Sequence, residues 1–164
     1  LERQKLSDIR EKADYIIDTS NLNIHQLRDR IKKIFLTQSK DELTVILISL
    51  GFKKGIPLDV DMLFDLRFLP NPFYIEDLRE LTGLNKEVRE YVMDSEVSQE
   101  IFMKIREMIE FLIPQFKKEG KNEIIIGIGC TGGNHRSVTF TYLLESYLKE
   151  LGHPVTAVHR DIRK

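Results

Sequence analysis

Apolar residues follow two different periods along this chain. Residues 43–50 and 124–128 are apolar at almost every position, which is typical of strands buried on both faces of a sheet. Apolar side chains at helical spacing over residues 96–118 predict a long helix that ends or kinks near Pro114. A second helical pattern occupies residues 138–151. Strands and helices are therefore expected to alternate in the second half of the chain.

Two shorter strands complete the predicted sheet, at residues 62–69 and 155–158. Strand, helix and strand in this order form a right-handed crossover. The pattern therefore predicts an α/β fold, in which a parallel or mixed sheet has helices on both faces. Asp65 and Arg67 would share one face of their strand, and the mostly polar residues 73–93 are expected to form a long surface excursion.

The first forty residues are expected to form a separate unit, which begins with a helix over residues 1–12 and a short strand over residues 13–18. Asn23 can cap a helix, and Gln26 stands at the position that reaches back to the cap. The polar residues 37–41 then have the composition of a linker. We therefore place a domain boundary between residues 1–40 and residues 41–164.

Composition excludes several classes of protein. The chain is 41% hydrophobic and 31% charged, which is ordinary for a globular protein, and it has no apolar stretch long enough to cross a membrane. Its 25 basic and 26 acidic side chains give no overall signal for nucleic acid. Cys130 is the only cysteine and the first residues are charged, so we expect a cytoplasmic location. His25 and His153 have no companions at metal-ligand spacing, so we expect no metal.

A glycine-rich turn, Gly-Cys-Thr-Gly-Gly-Asn-His-Arg-Ser at 129–137, joins an apolar strand to a helix. The first N–H groups of such a helix lack intrahelical partners and its dipole is positive at this end, which favours an anion. The carboxyl ends of neighbouring strands would add Lys53 and Arg67 to the same crevice. The predicted contacts to a phosphorylated ligand are therefore Thr131, Gly132, Gly133, Asn134, His135, Arg136, Ser137, Lys53 and Arg67.

The same turn satisfies the spacing Cys-x-x-Gly-x-x-Arg-Ser, which resembles the phosphate loop of cysteine-dependent phosphatases. Cys130 would then be the nucleophile and Arg136 the phosphate clamp, with Asp65 as the one candidate for a general acid. The alternative is that Cys130 is a small buried apolar residue with no catalytic role. In that case we expect no catalytic residues in this chain. No Walker A sequence occurs anywhere in the chain.

Three segments resemble the RapZ/YvcJ family: Gly-Phe-Lys-Lys-Gly-Ile-Pro at 51–57, Phe-Asp-Leu-Arg-Phe-Leu-Pro-Asn-Pro at 64–72, and the glycine-rich turn with its flanks at 127–138. The resemblance covers essentially the whole chain. It implies that residues 1–20 are the last helix and strand of an N-terminal kinase-like domain, which binds and hydrolyses ATP or GTP through a Walker A motif absent from this chain. Residues 41–164 would then be a C-terminal domain that resembles a phosphofructokinase subdomain and forms homo-oligomers.

Enterobacterial members of this family bind small regulatory RNAs and sense glucosamine 6-phosphate. By that resemblance Lys53, Thr131, Gly132, His135 and Arg136 would contact a phosphate or an RNA backbone. Phe73 is a departure, because the enterobacterial type has a histidine of its binding surface at this position. The basic residues that could form an RNA-binding rim are Lys53, Lys54, His159, Arg160, Arg163 and Lys164.

The sequence and the resemblance together predict a regulatory domain that binds a phosphorylated ligand, which is an amino-sugar phosphate, a nucleotide sugar or an RNA backbone. No cofactor is expected in this fragment, and no membrane partner. The remaining alternatives are a cysteine-dependent phosphatase and a domain that serves mainly for oligomerisation.

Overall fold

A computed structural model describes residues 13, 15–20, 22–24, 26, 27, 30, 31 and 43–163. The chain divides into two units, Leu1–Lys40 and Asp41–Lys164. In the first unit, the backbone N–H of Gln26 donates to Asn23 Oδ1 (2.9 Å) and the N–H of Asn23 donates to Gln26 Oε1 (3.0 Å). This reciprocal pair is the predicted capping box.

Two other expectations concern the first unit. The strand predicted over residues 13–18 is wrong, since residues 15–18 form no strand. A strand exists only where its backbone groups pair with a neighbouring strand, and none is present in the described part of this unit. The helix predicted over residues 1–12 and the linker at 37–41 lie outside the described residues.

The second unit is built on a four-stranded, wholly parallel sheet. The strands, in the spatial order β2-β3-β1-β4, are β1 (Thr44–Gly51), β2 (Met62–Asp65), β3 (Glu123–Cys130) and β4 (Val155–His159). The helices are α1 (Lys86–Met93), α2 (Glu96–Lys118) and α3 (Arg136–Glu150). The predicted α/β class is confirmed, and of the two kinds of sheet that were expected the parallel one occurs.

The three helices lie on one face of this sheet. Val45 and Leu47 of β1 are in register with Ile124 and Ile126 of β3 and share a hydrophobic core with side chains from all three helices. From β2 to β3 and from β3 to β4 the chain advances in the same direction, and right-handed crossovers in one direction place their helices on one face. The connection from β1 back to β2 contains one short 3-10 turn and no helix. Helices were expected on both faces, but among the described residues of the second unit they cover one face only, because both crossovers run in the same direction.

The structure differs from the prediction at two elements, strand β2 and the polar excursion, and agrees with it at helix α2. Strand β2 ends at Asp65, so Arg67 lies in the following turn. Helix α2 occupies the predicted range and does not end at Pro114, whose position is exposed, so the carbonyl that lacks a partner can bind water. The polar excursion contains helix α1, because Val88 and Val92 are fully buried on its inner side.

The carboxyl ends of β1 and β3 lie side by side, with Gly51 opposite Cys130. The loop after β1 and the glycine-rich turn after β3 therefore leave the sheet together. In the described part of the chain, no helix is both long enough and apolar enough to cross a membrane.

Candidate functional site

The glycine-rich turn packs directly against the end of β1. A Cβ atom added to Gly51 would lie 2.6 Å from the carbonyl carbon of Gly132, and one added to Gly133 would lie 2.7 Å from Cβ of Asp161. Gly133 also has a φ of 80°, which L side chains rarely adopt. The two backbones thus approach each other as closely as glycine permits, and this approach fixes the position of the turn.

Asp161 holds this junction from the C-terminal side. Its Oδ2 accepts a hydrogen bond from the backbone N–H of Gly51 (2.8 Å) and another from Arg160 Nε (3.0 Å). Burial raises the pKa of Asp161, but the hydrogen bonds from Arg160 and Gly51 outweigh burial and the net shift is downward. Arg160 also donates to the carbonyl of Gly55 (2.7 Å). Asp161 and Arg160 therefore form a neutral clamp between the two loops.

A cleft of about 420 Å³ opens at this edge of the sheet. The N–H of Lys53 donates to the carbonyl of Thr131 (3.3 Å), so the loop after β1 forms one wall beside the turn. The lining residues are Lys53, Lys54, Asn71, Phe73, Tyr74, Cys130, Thr131, Gly132, Asn134, His135, Arg136, Asp161 and Arg163. The cleft therefore lies where ligands bind in parallel α/β sheets.

Arg136 is the most buried charged residue of the cleft, with 3% of its surface exposed. Its Nη1 donates to the carbonyls of Arg67 (2.7 Å) and Leu69 (2.9 Å), and its Nη2 donates to Thr131 Oγ1 (3.2 Å). Its Nε is buried without a partner among the described residues. Burial lowers the pKa of Arg136, although the side chain stays charged at neutral pH. Arg136 thus fixes the turn after β2 and also places a positive charge behind the cleft.

His135 is also buried, with 7% of its surface exposed, and lines the cleft. Burial lowers the pKa of its imidazole, and the backbone groups of Leu81 and Arg79 oppose this shift only in part. The ring is therefore mostly neutral at pH 7. Its Nε2 has no hydrogen-bond partner within the described part of the chain. A buried polar atom without a partner is rare in folded proteins, so this nitrogen is a candidate for contact with a ligand.

Cys130 lies at the floor of the cleft, but its side chain is buried. The N–H of Gly133 donates to its sulfur (3.3 Å), and Ser137 Oγ is 3.1 Å from the same sulfur. Asp65, the candidate general acid, is held by Arg67 in a bidentate pair that lowers its pKa, so it would be ionised at neutral pH. A carboxylate that is already ionised cannot supply a proton to a leaving group.

The structure brings most of the predicted ligand contacts together. Lys53, Thr131, Gly132, Asn134, His135 and Arg136 all line the cleft. Three others do not: Gly133 packs behind the turn, Ser137 is buried against Cys130, and Arg67 pairs with Asp65 and stacks on the Phe52 ring at 4.5 Å.

The predicted RNA rim is divided in a similar way. Lys54 and Arg163 line the cleft together with Lys53. Arg160 is engaged by Asp161, and Nδ1 of His159 is 2.9 Å from Ser49 Oγ within the sheet. Lys164 lies outside the described residues. The basic surface at the cleft is therefore smaller than the sequence suggested.

The residue pattern did not place four residues in the cleft, Asn71, Phe73, Tyr74 and Asp161, although the family resemblance had already related Phe73 to a binding surface. The first three follow the turn after β2, which Arg136 draws towards the glycine-rich turn through the carbonyls of Arg67 and Leu69. The Pro-Asn-Pro punctuation at 70–72 did mark an irregular segment. Nothing in the local pattern shows which side of the sheet that segment approaches.

The fold and the cleft define a class of protein, namely an α/β domain with a basic cleft at the carboxyl edge of a parallel sheet. The sequence matches two protein-family models. Residues 1–39 match the RapZ-like N-terminal domain, and residues 43–163 match the RapZ C-terminal domain. The chain belongs to the RapZ family, as the sequence motifs predicted.

Curated relatives carry the name nucleotide-binding protein. The one from Alkaliphilus oremlandii is 54% identical over 162 residues, which are 98% of this chain and 56% of the relative. The one from Caldanaerobacter subterraneus subsp. tengcongensis is 51% identical, and the one from Clostridioides difficile is 48% identical, each over 98% of this chain and 57% of the relative. The chain thus spans little more than half the length of these relatives.

Proposed function

We propose that the second unit is a regulatory binding domain that holds the phosphate group of a small ligand in the cleft beside the glycine-rich turn. The observation that carries this proposal is the charge of the cleft. Its lining includes Lys53, Lys54, Arg136 and Arg163, and its one carboxylate, Asp161, is already neutralised by Arg160. An anion that entered the cleft would therefore meet a net positive surface.

Three kinds of donor support a phosphate in particular. The first N–H groups of α3 lack intrahelical partners and lie at the positive end of its dipole. The side chains of Lys53 and Lys54 are exposed and form no ion pair among the described residues. The imidazole of His135 offers a neutral donor through its unpartnered Nε2. Phosphate oxygens suit this mixture of backbone, ammonium and imidazole donors.

The geometry favours binding over phosphatase chemistry. In a cysteine phosphatase, the arginine would have to turn its guanidinium towards the phosphate, but Nη1 of Arg136 is occupied by two backbone carbonyls. The thiol is buried, and Asp65 is fixed as a carboxylate by Arg67. The small rim, from which Arg160 and His159 are withdrawn, also favours a small molecule over an RNA backbone.

We further propose that a full-length protein containing this chain binds ATP or GTP outside these 164 residues. The relatives are named nucleotide-binding proteins and are almost twice as long as this chain. No Walker A sequence occurs here, so nucleotide binding of that kind would need a preceding segment. Homo-oligomer formation, which the family resemblance implies, is a separate proposal that sedimentation of the chain would test.

Calorimetric titration tests the binding proposal directly, with inorganic phosphate, glucosamine 6-phosphate and uncharged glucosamine as three ligands. We expect both phosphates to bind and glucosamine not to bind. Lys53→Ala should weaken phosphate binding about tenfold, because it removes one charged donor from the cleft. Lys118→Ala is the matched control, since this exposed lysine ends α2 away from the cleft. Equal affinities for the two variants would contradict the proposal.

An activity assay separates binding from catalysis. If the domain only binds, hydrolysis of a general phosphatase substrate stays at the background rate in both the natural chain and Cys130→Ser. Hydrolysis that disappears in Cys130→Ser would show that the phosphatase alternative is correct.

A further inference from the structure

We infer that the ligand of the cleft is a nucleotide, whose base stacks on Phe73 and Tyr74 while its phosphate occupies the basic side. This inference rests on the proposed phosphate-binding function and narrows it to ligands that carry a planar ring. It is drawn from an aromatic wall that the phosphate-binding proposal leaves unused.

The aromatic wall consists of Phe73 and Tyr74, two neighbouring residues that both line the cleft. Phe73 is 44% exposed and Tyr74 is 78% exposed, and their rings meet edge to face with centroids 5.9 Å apart. Aromatic rings are usually buried, because burying one removes a large apolar area from water. Two rings that stay exposed inside one cleft therefore indicate a surface for an apolar, flat partner.

The wall is held in place before any ligand arrives. Asn71 Oδ1 accepts a hydrogen bond from the N–H of Phe73 (3.4 Å), and the N–H of Tyr74 donates to the carbonyl of Asn71 (3.2 Å). Arg79 donates to the carbonyl of Phe73 (3.1 Å), and its guanidinium lies 5.4 Å from the centre of the Phe73 ring. Pro72, which lies between Asn71 and Phe73 in the chain, is buried, and its ring restricts its backbone angle φ. A ring held in this way loses little conformational freedom when a base stacks on it.

The wall and the basic side belong to one site. Tyr74 and Phe73 line the same cleft as Arg136 and Lys53. Arg136 also binds the carbonyls of Arg67 and Leu69, so it ties the segment that carries the aromatic wall to the glycine-rich turn. The cleft volume of about 420 Å³ falls within the range of pockets that hold a small organic ligand, roughly 300–1,000 Å³. A phosphate alone would leave the aromatic side of this volume empty.

The test is a calorimetric titration of the chain with four ligands: ribose 5-phosphate, UMP, AMP and UDP-N-acetylglucosamine. Ribose 5-phosphate has the phosphate and the sugar but no base, so it measures the anion side alone. Stacking of one base on an aromatic side chain is worth enough to tighten binding about tenfold or more. We therefore expect the base-bearing ligands to bind at least about tenfold more tightly than ribose 5-phosphate. The strongest of the three then identifies the base and shows whether the nucleotide is free or joined to a sugar.

Variants connect this gain to the wall. Phe73→Ala and Tyr74→Ala should each lower the affinity for UMP or AMP towards that for ribose 5-phosphate, and leave ribose 5-phosphate binding unchanged. Phe68→Ala is the matched control, because Phe68 is 62% exposed but does not line the cleft. Circular dichroism of each variant checks that the fold is intact.

The possible outcomes distinguish the inference of a nucleotide ligand from the proposal that the cleft binds phosphate. If ribose 5-phosphate binds and neither the nucleotides nor the nucleotide sugar bind more tightly, the cleft is a phosphate site and the inference is wrong. A uniform loss for all four ligands in Phe73→Ala would overturn it as well, since the ring would then only support the fold. If no phosphorylated ligand binds at all, both statements fail.

Discussion

Two turns at the same edge of the sheet carry an arginine each, and the two arginines differ in almost every respect. Arg136, after β3, is buried and donates to two carbonyls of the other turn. Arg67, after β2, is exposed, pairs with Asp65 and stacks on Phe52. The difference lies in the hydrogen-bond partners. Arg136 is held inside the protein by backbone carbonyls of another turn, whereas Arg67 has a carboxylate partner at the surface.

The two turns differ for a backbone reason. Gly132 and Gly133 let the turn after β3 touch β1, so its side chains enter a packed junction. The turn after β2 contains no glycine at a close backbone contact, and the side chain of Arg67 donates its hydrogen bonds to Asp65, two residues earlier in the chain. The glycine-rich turn should therefore be sensitive to every change, and the turn after β2 should tolerate the loss of its ion pair.

The largest effect is expected from Gly133→Ala. The new methyl group would meet Asp161 and Gly51 and would also have to adopt a positive φ, so we expect a loss of about 2–5 kcal/mol of unfolding free energy. Gly152→Ala is the control, because Gly152 has a similar φ of 81° with no atom near the added Cβ. It should cost only about 1–2 kcal/mol. Urea unfolding that gave equal losses for the two variants would show that the junction is not tight.

The second-largest effect is expected from Arg136→Ala. It should lower the free energy of unfolding by about 2–4 kcal/mol, because it leaves the carbonyls of Arg67 and Leu69 without their donor. Arg163→Ala removes a cleft arginine whose partner, Glu80, is exposed, and it should change stability by less than about 0.5 kcal/mol. Thermal and urea unfolding of both variants measure this difference. A stable Arg136→Ala chain that had lost only ligand binding would assign Arg136 to the ligand and not to the turn.

A smaller effect is expected from pH. Burial lowers the pKa of His135 and of His159 below the ordinary value near 6.5. As pH falls through 6.5, the unfolded chain gains protons that the folded chain does not bind, so stability should decrease between pH 7.5 and pH 5.5. Urea midpoints at several pH values measure the slope, and His135→Gln should make it shallower. An unchanged slope in this variant would contradict the buried, neutral state of His135.

Arg67→Ala should have the smallest effect. Its ion pair is exposed, so the urea midpoint should stay near that of the natural chain and phosphate affinity should change by less than about twofold. The comparison of the two turns would break down if Arg67→Ala weakened phosphate binding as much as Lys53→Ala does.

The sequence was sufficient for the α/β class and its buried strands, because β1 and β3 are apolar runs with clear ends, but it left open whether the sheet is parallel or mixed. It was sufficient for the glycine-rich turn as well. It was also sufficient for the helix at Asn23, since a capping box depends on neighbouring residues alone. The residue pattern could not place Phe73 and Tyr74 in the cleft, although the resemblance related Phe73 to a binding surface, because their position depends on Arg136, which is more than sixty residues away in the chain. It likewise could not separate Arg67 from Arg136, since burial is decided by packing against distant residues.

A crystal of the chain grown with phosphate tests the central claim most directly, because it shows the anion and its contacts together. The account predicts one phosphate ion in the cleft, within hydrogen-bond distance of backbone N–H groups between Thr131 and Arg136 and of Lys53 or His135. A well-ordered cleft without an ion, in a crystal whose phosphate ions bind only elsewhere on the surface, would contradict it.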